Sequence, residues 1–136
     1  MFKFLMNNSS GIILATLTAI TISLLWYSDF MFGKEWRRVT KLKNKEFKAN
    51  LAVSVLGLVI ISFVSAFVLK RFIVIAAPAN ILEAIKLSVW IWLGFVASYG
   101  LSNTLFEKRS YELSAINLSN HLVTLTVMAA ILFSIN

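Results

Sequence analysis

The stretch A-N-L-A-V-S-V-L-G-L-V-I-I-S-F-V-S-A-F-V-L, Ala49–Leu69, runs its whole length without one charged residue. A transmembrane helix needs roughly 20 consecutive apolar residues to cross about 30 Å of hydrocarbon, and this stretch meets that length. Three more runs do the same: Phe4–Ser28, Leu87–Phe106 and Leu113–Asn136. The sequence therefore predicts an all-α, polytopic bundle of four transmembrane helices, at about 8–30, 49–69, 78–106 and 113–135, forming one domain over 1–136. Composition points the same way. Hydrophobic residues make up 59% of the chain and charged ones 14%, with mean hydropathy +0.82, whereas a soluble domain is about 25% charged.

The first run opens with Lys3 and resembles a signal peptide in that respect. Its apolar part is longer than a signal core, no A-x-A-like site follows, and it ends in the interfacial pair Trp26-Tyr27, so a retained helix is expected. Cysteine is absent and His121 is the only histidine. That leaves no disulfide or thiol chemistry, and neither a metal site nor a cofactor is expected.

The positive charges predict an orientation. Lys34, Arg37, Arg38, Lys41, Lys43, Lys45 and Lys48 lie between the first two helices, and Lys108 and Arg109 between the last two. The other side holds Lys3, Lys70, Arg71 and Lys86. Lys and Arg concentrate on the cytoplasmic side, so both termini are expected outside, in a bacterial cytoplasmic (inner) membrane. The net charge of +7 is mostly this signal, and no nucleic-acid partner is expected. In the basic segment, Phe32, Trp36 and Val39 fall on one helical face beside Arg37, Arg38 and Lys41. Two readings fit: a short helix on anionic lipid head groups, or a loop anchored by one Trp. The other long connection, Lys70–Lys86, holds the only proline, and Pro78 predicts a start for the third helix near Ala77–Ala79.

Helix packing in lipid needs small residues at four-residue spacing. Gly11, Ala15, Ala19 and Ser23 form one such row, and Gly94, Ser98 and Ser102 another. Either row can face a helix of the same chain or a second protomer, and a homo-oligomer, most simply a dimer, is expected to use one of them.

Polar residues within the spans give the candidate site. Tyr99, Asn103 and Glu107 share one face of the third helix, and Asn117, His121 and Thr124 one face of the fourth, with Asn120 beside them. The short link between these helices makes an antiparallel hairpin, so the two rows are expected to meet level by level. Trp26 and Ser28 end the first helix on the same side and are expected to complete the wall, with Arg109 at the mouth. A polar group facing hydrocarbon needs a partner. Inter-helix hydrogen bonding is one outcome; a pocket for an ion, proton or polar head group is the other. No Walker loop, G-x-G-x-x-G, H-E-x-x-H or G-x-S-x-G occurs. An enzyme, with His121 and Glu107 as acid and base, is the least favoured class. A binding or transport protein and a structural or accessory protein stand ahead of it.

W-Y-S-D-F-M-F-G-K-E-W (Trp26–Trp36) resembles the W-Y-S-P-x-x-F-G-x-x-W signature of a small bacterial membrane family, domain of unknown function 1761. W-L-G-F-V-A (Trp92–Ala97), N-T-L-F-E-K-R (Asn103–Arg109), Ile116-Asn117 and H-L-V (His121–Val123) follow in that family's order. Asp29 departs from the family's proline. The resemblance implies a four-helix membrane domain and no particular substrate or reaction. Ser28–Lys34 also echoes Ser102–Lys108, as a parallel repeat would, although over seven residues chance similarity is the simpler reading.

Overall fold

The structure, a computed structural model, describes residues 1–41 and 50–135. Four long helices dominate it: α1 (Phe2–Trp26), α3 (Leu51–Ala76), α4 (Ile81–Phe106) and α5 (Tyr111–Ser134). A short α2 (Gly33–Thr40) follows α1. All four long helices are long and apolar enough to cross a membrane. Lys43, Lys45, Phe47, Lys48, the expected helix start at Ala49 and the chain's last residue, Asn136, lie outside the described residues.

Several boundaries differ from expectation, each for a local reason. α1 stops at Trp26 rather than near 30, because Tyr27–Phe32 folds into a tight turn: the Phe32 amide donates to Trp26 O and the Gly33 amide to Ser28 O, at 3.0 and 2.9 Å. A Cβ on Gly33 would overlap the carbonyl oxygens of Tyr27 and Ser28, so only glycine fits this close approach. α3 continues past Leu69 to Ala76, taking in Lys70 and Arg71, and ends with Ala77 in the left-handed region (φ 45°). α4 starts at Ile81 rather than at Pro78. Asn80 is the reason: its side chain accepts from the Glu83 amide at 3.0 Å, while Glu83 Oε2 accepts from the Ala79 amide at 2.8 Å, a variant of the reciprocal capping pair. α5 starts at Tyr111 rather than 113, with Ser110 as its cap. The echo between Ser28–Lys34 and Ser102–Lys108 has no structural counterpart, since the first is mostly turn and the second mostly helix.

α5 occupies the middle, packed on α1, α3 and α4; α1 packs on both α3 and α5, while α4 packs chiefly on α5. The core joins Ile12, Ala15 and Ala19 of α1 to Ala66 and Leu69 of α3 and to Met128, Ala129 and Leu132 of α5. The row Gly11, Ala15, Ala19 and Ser23 is therefore used within the chain, where all four are buried. The row Gly94, Ser98 and Ser102 lies exposed on the far side of α4. α3 and α4 barely touch, and do so along Ile81–Ile91. Between them the bundle is open.

Lys70 is not a loop charge. It is 1% exposed, and its Nζ donates to Leu132 O at 2.6 Å and Ile135 O at 3.1 Å. The last carbonyls of a helix lack intrahelical donors and carry the negative end of its dipole, so this cation closes the C-terminus of α5. Arg71 lies over the Phe4 ring, 4.8 Å from its centroid.

Candidate functional site

The family-like segment Trp26–Trp36 builds a joint between α1, α2 and α5. Trp26 Nε1 donates to Ile116 O at 3.0 Å, and its ring lies 4.7 Å from that of Phe32. The Tyr27 hydroxyl donates to Asn117 Oδ1 at 2.8 Å, and burial pushes this phenol above its ordinary range. Trp36 stands edge-on to Tyr27 at 5.5 Å. Asp29 pairs with Arg37 across the turn. Arg38 bridges Glu35 and, at 3.0 Å, Glu112 at the start of α5. The guanidinium groups of Arg37 and Arg38 hold the Asp29 and Glu35 carboxyls below their ordinary range. Trp26 and Ser28 thus belong to this joint and do not line the groove described next. Ser28 Oγ donates locally to Leu25 O.

A groove of about 190 Å³ runs between α4 and α5 at the end that carries their link. Tyr99, Asn103, Arg109, Asn117 and His121 all line it. Glu107 does not; it lies in the link, exposed, and pairs with Arg109 at 2.6 Å. The helical row was expected to carry Glu107 inward, but α4 ends at Phe106 and the chain turns away. His121 and Glu107 consequently share no site in which to act as acid and base.

Tyr99 and Asn103 of one row and Asn117 and His121 of the other face the same groove, and among the described residues no hydrogen bond joins the two pairs. The α4–α5 contact is made one residue round from the predicted face. A Cβ on Gly100 would come within 2.6 Å of Leu118 Cδ2, Thr104 Oγ1 and Ser114 Oγ lie 2.5 Å apart, and Trp92 Nε1 donates to Leu118 O at 3.0 Å. Asn120 reaches Ser23 of α1 at 3.5 Å and accepts from Thr124 at 3.3 Å. The glue of the bundle is therefore Trp92, Gly100, Thr104, Ser114 and Asn120, with Asn117 shared between joint and groove. Among the described residues, the side chains of Tyr99, Asn103 and His121 have no hydrogen-bond partner.

α4 carries a π-helical turn, Trp92–Ala97, beside this region. At its end Ser98 Oγ donates five residues back to Leu93 O at 2.9 Å. Such turns are frequent at functional sites. Val96, on this turn, lines the polar groove and also a second cavity of about 410 Å³ between α3, α4 and α5. His121 lines both as well. The second cavity is mostly apolar, with Ile61, Val68, Phe72 and Leu125 among its walls. Ser62, Ser65 and Thr124 add hydroxyls. Among the described residues no three of His, Cys, Asp and Glu gather as metal ligands do.

The family described as protein of unknown function (DUF1761) matches the chain over residues 10–133. No curated protein and no solved structure matches it.

Proposed function

Because the chain belongs to the DUF1761 family, whose description names no activity, we propose from its geometry that it is a multi-pass membrane protein that binds a small polar or anionic group in the groove between α4 and α5. One observation carries this reading: His121 lines that groove with no hydrogen-bond partner among the described residues. It lies ten residues into α5, about 15 Å from the helix start, which is near the middle of a bilayer core about 30 Å thick. An unsatisfied polar group there costs several kcal/mol, so the imidazole calls for a partner from outside the fold. Asn103 and Tyr99 stand in the same groove, and Arg109 supplies a cation at its mouth.

The site is proposed to face the cytoplasm of a bacterial inner membrane, with both termini outside. Supporting this, Arg38 and Glu112 join the two basic segments at one end of the bundle. Lys70 is spent inside the fold and no longer weighs on the opposite side. Binding or transport through a homo-oligomer is part of the same proposal, the exposed row Gly94, Ser98 and Ser102 being the surface offered for it. α2, with Trp36, Arg37 and Arg38, and Lys41 just past its end, is proposed to lie on anionic head groups.

Thermal melts of the parent and of His121→Leu, each with and without inorganic phosphate or lipid phosphates, test the groove. The parent is expected to be stabilised by the probe and the variant to melt near the parent's unliganded temperature without responding. If no probe shifts the parent and His121→Leu simply lowers stability, the accessory reading replaces this one. That second reading draws on the structural bonds that already occupy Asn117, Thr104 and Asn120.

A further inference from the structure

We infer that the polar groove and the apolar cavity form one site for an anionic amphiphile: a lipid whose phosphate head lies among Arg109, Asn103 and Asn117 and whose acyl chain fills the cavity between α3 and α4. This rests on the groove reading above and names its ligand class. The two spaces share a boundary, His121 and Val96, at the π-helical turn of α4. Along α5 the lining changes from Ser114 and Asn117 to Leu125 and Met128. From Ser114 to Met128 is about 21 Å of helix. That places a head-group region near one interface and an apolar region reaching past the midplane, the order in which a lipid presents its own parts.

A cleft open to hydrocarbon is filled by hydrocarbon. Lipid tails are as apolar as leucine, so the tail's gain over bulk lipid or detergent comes from close packing against the cavity walls. Selection then falls to the head group, where the groove offers a guanidinium, two amides and a phenol. Arg109 is half-exposed and its pair with Glu107 is a surface pair of small worth, so a phosphate competes for it in the bidentate geometry arginine favours. Room for the chain comes from small residues on the cavity wall, Ser62 and Ser65 on α3 and Ala19 on α1.

Matched probes separate head from tail: palmitoyl lysophosphatidate and glycerol phosphate, measured on the full chain in neutral detergent. The palmitoyl probe is expected to bind at least about tenfold more tightly. Ser65→Phe is expected to erase that advantage while leaving glycerol phosphate binding intact. Val68→Phe, at a more exposed point of the wall, repeats the test where packing is less demanding. Arg109→Gln is expected to weaken both probes. Equal affinity for the two probes, or an advantage that survives both wall substitutions, overturns the inference and leaves the polar groove standing. Failure of the parent to bind either probe overturns both. Loss of binding on dimerisation would assign the cavity to a second copy of the chain and also overturn it.

Discussion

Gly33 is the residue whose substitution has the clearest expected outcome. Its amide donates to Ser28 O, and a Cβ there would overlap two carbonyl oxygens of the same turn. Backbone cannot give way as a flexible side-chain tip does. Gly33→Ala is expected to destabilise the α1–α2 joint by about 2 kcal/mol or more, read as a lower melting temperature and greater Trp36 solvent access. An unchanged melt would mean the turn is looser than its hydrogen bonds indicate. Two carboxylates in the joint give a pH dependence. Asp29 and Glu35 have folded-state pKa values depressed by Arg37 and Arg38. Their contribution is present above the unfolded values and is lost as pH falls through the folded ones. Acidification below about pH 4 is therefore expected to loosen the joint. Both groups are fully exposed, so the effect is small, and tryptophan fluorescence quenching is the sensitive measurement. Firmer packing of Trp36 in acid would contradict the assignment.

Among the helices, the end of α5 depends on α3. Lys70 is buried against Leu132 O and Ile135 O. Lys70→Met keeps most of the volume and removes the donor, leaving buried carbonyls unmet at a cost of about 1–3 kcal/mol. Faster hydrogen exchange confined to the last turn of α5 is the expected signature; uniform loosening of the whole bundle would point instead to a packing defect. The two faces of α4 should respond in opposite ways. At Gly100 the added atom meets Leu118 at 2.6 Å, whereas nothing stands within 4 Å of a Cβ on Gly94. Gly100→Val is expected to push α4 from α5 and lower stability, while Gly94→Val leaves the monomer fold intact.

At the scale of the whole molecule, Gly94→Val becomes a test of association. If the exposed row on α4 joins two copies, this substitution is expected to shift a mild-detergent mass measurement from dimer to monomer without lowering the monomer's stability. A monomeric parent at every accessible concentration would remove the dimer altogether. Orientation is checked by reporter fusions after Asn136 and within Thr40–Lys45. The C-terminal fusion is expected to report from outside and the internal one from the cytoplasm, as the distribution of Lys and Arg requires. A cytoplasmic C-terminal reporter would invert the proposed topology and turn the polar groove to the outside.

The four spans were legible because membrane crossing depends on run length and on the absence of charge, both properties of the chain itself. Ala49–Leu69 declares itself without any neighbour. The axial positions of Asn117 and His121 along α5 were legible too, since helical rise is fixed by the backbone. Helix ends were less so: Pro78 marks a helix start near Ala77–Ala79, but Asn80 in A-N-I-L-E (Ala79–Glu83), whose pairing with Glu83 was present in the sequence as a capping pattern, sets the true start of α4. Which side of a helix meets which partner was decided only by tertiary structure. Small-residue spacing is the same for Gly11–Ser23 and Gly94–Ser102, yet α1 sits between two helices and buries its row, while α4 at the edge exposes its own. Lys70 reads as a boundary charge until the end of α5 is placed beside it. Glu107 reads as part of a polar stripe until the helix ends one residue earlier. Periodicity fixes a residue's angle about its own axis; the rotation of one helix against another is set by close packing across the chain, as Gly100 against Leu118 does here.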